Sequence, residues 1–103
     1  MDMMMDKVEF AGFEPDHSLK GAISRTLDVI LGSAPSDSEP LARLSRTKEG
    51  FKGVLRLSSQ QGIFSVEATG RDAVEMMARL KDRMSEQLGS WRGGRRLLGL
   101  VKI

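Results

Sequence analysis

Side chains that move protons, hold metals or attack substrates are scarce in this chain, and their surroundings do not suit the work. The only histidine, His17, follows Pro15 and Asp16 at what reads as the mouth of a helix, so a capping or solvent-facing imidazole accounts for it. Ser58 and Ser59 have no evident base, and neither common Gly-rich phosphate loop occurs. Asp72 with Glu75, or Asp82 with Glu86, could bind a divalent ion, but arginines stand among them and make them counter-charges. There is no cysteine, which excludes disulfides, thiolate metal sites and thiol nucleophiles. The expectation is a protein that is not an enzyme and uses no metal or cofactor.

Anion binding is the chemistry that remains. Arg92, Arg95 and Arg96 sit together around Gly93 and Gly94 with no acid among them. Each guanidinium is a planar fork of N–H donors suited to phosphate. Arg79 and Arg83 lie upstream among acids, and a solvated salt-bridge face explains them as well as an anion does; Glu75 and Arg79 stand four apart in the favourable order. The totals are mild. Sixteen basic against 14 acidic side chains give a net charge of +2 and a pI near 9.3, which permits an anionic partner without requiring one.

The elements that must carry these residues follow from periodicity. At 103 residues and 40% hydrophobic content the chain suits one domain. Met1 to Met5 reads as a disordered start, and Asp2 and Asp6 stand where a secretory leader needs basic residues. No apolar run approaches the ~18 residues of a membrane span, so the cytoplasm is expected and no membrane partner. The pattern predicts a strand over 7–13 and a helix from Asp16 to near Gly32 with Leu19, Ile23, Leu27 and Ile30 on its stripe. Further strands are expected over 41–47, 51–58 and 63–69, with turns at Lys48-Glu49-Gly50 and Gln60-Gln61-Gly62. The longest pattern runs from Thr69 to Trp91, where Ala73, Met76, Met77, Leu80, Met84, Leu88 and Trp91 share one side of a helix.

The order β-α-β-β-β-α implies an α+β fold: a four-stranded mixed sheet with both helices on its one apolar face. A right-handed first crossover makes strands one and two parallel and the rest a meander. The open face is expected to show Lys7, Arg43, Lys52 and Arg56, diluted by Glu9 and Glu67. The domain then spans 6–92, followed by a tail over 93–103. An RNA-recognition motif would need aromatics on the open face, but Phe51 and Phe64 point inward. A double-stranded-RNA-binding domain would need a lysine cluster where this chain has Arg71, Asp72 and Glu75.

The stretch GIFSVEATGRDAVEMMARLKDRMSEQL resembles the close of the hibernation-promoting factor family, the ribosome-associated translation inhibitors. The matching places are Phe64, Val66, Ala68, Asp72, Met76-Met77, Leu80, Arg83 and Gln87-Leu88, and the element order fits over about residues 6 to 92. The resemblance implies a short form with the N-terminal domain alone: a cytoplasmic, non-catalytic stress-response factor in the decoding channel of the small ribosomal subunit. There it would touch rRNA through basic side chains and exclude messenger and transfer RNA. The family's basic positions fall on Arg79 and Arg83, then Arg92, Arg95 and Arg96, with Arg25 a looser carry-over. Family members usually carry a lysine-rich second helix, whereas this one alternates acids with arginines.

Two functions therefore stand: an rRNA-binding factor that tunes or silences translation, and a protein-interaction module of the same fold. In the second, the apolar tail from Leu97 to Ile103 is a docking strand or a route to a homo-oligomer.

Overall fold

The computed structural model describes residues 7–101, with side chains as far as Trp91. The expected disordered segment at the N-terminus lies outside the described residues. The elements are β1 (Val8–Ala11), α1 (His17–Gly32), β2 (Glu39–Thr47), β3 (Gly50–Ser59), β4 (Gly62–Gly70) and α2 (Ala73–Val101). This is the expected β-α-β-β-β-α order. Strand β1 stops two residues sooner than the alternation suggests, because Gly12 turns the chain at φ 82°.

The strands pair in sequence order, β1 parallel to β2 and the others antiparallel. Register sets Val8 beside Ala42, Leu55 and Val66, and Phe10 beside Leu44, Gly53 and Ala68. Side chains alternate across a sheet, so these rows share one face. Both helices cover it: Ile23, Leu27 and Ile30 from α1, and Met76, Leu80, Met84 and Leu88 from α2, join Leu44, Leu55 and Leu57 in one buried cluster. Gly53 lies under the crossing of α2, where any Cβ would run into Met76 and Leu80. A glycine inside a strand here marks close approach of a helix.

Local capping sets the helix starts. Asp16 Oδ1 accepts the Leu19 N–H at 2.7 Å, as its position before α1 suggests. At α2, Asp72 Oδ1 accepts the Glu75 N–H at 2.8 Å while Glu75 Oε1 accepts the Arg71 N–H at 3.1 Å, a reciprocal cap like a capping box.

Helix α2 departs from expectation at its far end. Instead of stopping near Trp91 it continues to Val101, so 92–96 are helical rather than a loose glycine linker, and 97–101 are helix rather than an edge strand. Gly93 and Gly94 each weaken a helix by about 1 kcal/mol relative to alanine, but the segment has no proline and is otherwise rich in Arg and Leu, which favour it. Trp91 packs on the sheet, its ring edge-on to Phe64 at 5.7 Å near the start of β4.

Candidate nucleic-acid interface

Strand β4 is an outer strand, and among the described residues one side of its backbone has no neighbouring strand. Helix α2 runs antiparallel beside that edge. Arg79 Nη1 donates to the Thr69 carbonyl at 2.9 Å and Arg83 Nη1 to the Glu67 carbonyl at 2.5 Å. Gln87 Nε2 donates to the Ser65 carbonyl at 3.4 Å, and its Oε1 accepts the Ser65 N–H at 3.0 Å. The register is physical: four helical residues advance about 6 Å and two strand residues about 6.6 Å. Side chains at i, i+4 and i+8 therefore meet every second carbonyl.

This ladder engages the arginines without exhausting them. A guanidinium has five N–H donors, and Arg79, with its side chain 53% exposed, keeps some for solvent. Its other contact is Glu75 Oε1 at 3.5 Å, and Glu75 Oε2 lies 3.6 Å from Arg71 Nη2. The Arg71 backbone N–H, then the Arg79 and Arg71 charges, hold the Glu75 carboxyl below its ordinary value, against a desolvation that raises it. Arg79 lines an open hollow with Thr47, Phe51 and Arg71, whereas Arg83 lines another with Val66, Gln87 and Ser90. Both hollows also contain an acid: Glu49 and Glu75 in the first, Glu86 in the second.

Arg79 and Arg83 thus share one flank of α2, but Arg25 stands apart on α1. It is exposed, and its guanidinium folds back over Gly21, where an added Cβ would lie 3.4 Å from Nη1. The space above that glycine is occupied by the chain's own arginine. Arg92, Arg95 and Arg96 fall within the last ten residues of α2, and their side chains lie outside the described residues.

The open sheet face carries Glu9, Arg43, Lys52, Arg56 and Glu67, all exposed, with Lys52 and Glu67 paired at 3.5 Å. Such an exposed pair contributes little. Phe51 and Phe64 lie on the inner face, Phe51 in an edge-to-face contact with Phe13, so among the described residues no aromatic stacking platform faces solvent. His17 is the exposed first residue of α1. Ser59 Oγ donates to the Gly62 carbonyl at 3.0 Å and accepts the Gln61 N–H at 3.1 Å, which ties it to the β3–β4 turn. Among the described residues no three potential metal ligands gather, and no helix is long and apolar enough to cross a membrane.

No family model matches the sequence, and a search of curated proteins finds no match. Solved structures do match. The N-terminal domain of Thermus thermophilus Protein Y superposes with a TM-score of 0.66 at 17% identity, over 82% of this chain and 94% of that one. A ribosomal subunit interface protein from Coxiella burnetii superposes with a TM-score of 0.70 at 12% identity, over 84% of this chain and 97% of that one. The fold is shared. At these identities the likeness concerns the backbone, and the arginine ladder is a property of this chain's own residues.

The carbonyl ladder was not foreseen from sequence. Its one linear trace is the four-residue spacing of Arg79, Arg83 and Gln87, which on its own describes any helix flank.

Proposed function

We propose that this chain is a cytoplasmic, non-catalytic ribosome-associated factor that contacts small-subunit rRNA and tunes or silences translation. The observation that carries the reading is the likeness, over 84% of the chain, to a protein described as a ribosomal subunit interface protein. The arginines on the α2 flank support it, because guanidinium groups left with free donors beside a strand edge suit phosphate oxygens. Arg92, Arg95 and Arg96, on the last turns of the same helix, would extend that contact, and Arg25 would contribute from α1. Recognition of this kind is by backbone charge and shape rather than by base edges.

Co-sedimentation with purified ribosomes tests it. Binding at low salt that weakens steadily as salt rises is the expected result, since each neutralised phosphate releases counterions. Failure to sediment at low salt, or indifference to salt, would remove the proposal.

A second reading, self-association, is favoured by one feature: α2 continues for ten residues past Trp91, whose ring packs on Phe64. The contact would then be helical rather than an added strand. Deleting residues 97–103 should lower the mass measured by sedimentation equilibrium, and an unchanged mass would count against it.

A further inference from the structure

Gln87 differs from the two arginines above it in what it can do for an edge strand. An arginine only donates, so Arg79 and Arg83 cover the carbonyls of Thr69 and Glu67. A primary amide donates and accepts, and Gln87 takes both backbone groups of Ser65, as a neighbouring strand would. The two periods also differ by roughly 0.6 Å per step, which over two steps grows to about 1.2 Å. Long arginine side chains can absorb that drift, but the shorter glutamine cannot.

We infer that Gln87 is a positioning residue that pins the axial register of α2 against β4, so that Arg83 and Arg79 meet alternate carbonyls with their remaining donors turned outward. The inference rests on the phosphate-binding reading above for its functional consequence, but not for the pin itself. By occupying the amide and carbonyl of Ser65, Gln87 also denies that position to an added strand.

The decisive variants are Gln87→Leu, which keeps the bulk and removes both hydrogen bonds, and Gln87→Glu, which keeps only the acceptor. In the ribosome-free protein, Gln87→Leu should speed amide exchange at Ser65 at least tenfold and shift the Nε–H resonances of Arg79 and Arg83. Gln87→Glu should keep Ser65 protected yet still disturb the arginines. On ribosomes, Gln87→Leu should weaken binding by about 3- to 10-fold, the scale of one hydrogen bond. Arg83→Gln should then cost less in the Gln87→Leu background than in the wild type. Unchanged Ser65 exchange and unchanged arginine resonances in Gln87→Leu would overturn the pin. Full additivity of the two substitutions on ribosomes would overturn its link to the cationic flank. Wild-type protein that ignores ribosomes would instead overturn the proposed function, leaving the pin to be judged by exchange and resonances.

Discussion

Glu75 concentrates three roles in one carboxylate: it closes the α2 cap, and it pairs with both Arg71 and Arg79. Because its pKa is lowered by folding, its stabilising effect is fully present above the unfolded value and fades as pH falls through the folded one. Glu75→Gln should therefore destabilise the protein at neutral pH and flatten the loss of stability on acidification, measured by urea unfolding at stepped pH. A parallel offset at every pH would contradict this account. Asp72→Ala should cost about 1 kcal/mol through loss of the other half of the cap, read from the same unfolding curves. The cap is legible in the sequence only as a spacing, Asp72 and Glu75 standing three apart before an apolar stripe, where they read as counter-charges to the arginines. The carbonyl contacts of Arg79 and Arg83 are not legible, because they join residues 10 and 16 positions apart.

At the scale of elements, the contact between α2 and the sheet depends on an absence of side chain. Gly53→Ala should destabilise by about 1–3 kcal/mol, since Met76 and Leu80 must move aside for the methyl; chemical denaturation measures it. Helix α2 also has an end that sequence periodicity misjudged. The stripe from Ala73 to Trp91 marks where the helix has a sheet to cover, and burial patterns show no more than that. A helix can run on past its buried stripe, provided no proline stops it. Replacing Gly93 and Gly94 with alanine should raise stability or helical ellipticity by an amount corresponding to roughly 0.5–1 kcal/mol per site. If those residues formed a loose linker, circular dichroism would not change.

At the scale of the whole molecule, positive charge among the residues with described side chains is distributed rather than pooled. Arg79 and Arg83 flank β4, Arg25 lies on α1, and Arg43 and Arg56 lie on the opposite sheet face. A polyanion reaching the α2 flank would leave the sheet-face cations largely unused. Replacing Arg79 and Arg83 with glutamine should lower the salt slope of ribosome binding by up to about two units, whereas Arg43→Gln with Arg56→Gln should leave it unchanged. Sedimentation across a salt series distinguishes these outcomes. By itself the sequence determined the element order, the parallel first pair of strands, the inward aromatics and the core stripes. Those follow from periodicities of two and 3.6 residues and from the handedness of crossovers, all of them short-range or topological. Only the tertiary structure decided which arginines are neighbours, that α2 covers carbonyls along the edge of β4, and that Gln87 engages Ser65. Such contacts depend on the axial placement of one element against another, and no spacing along the chain encodes that placement.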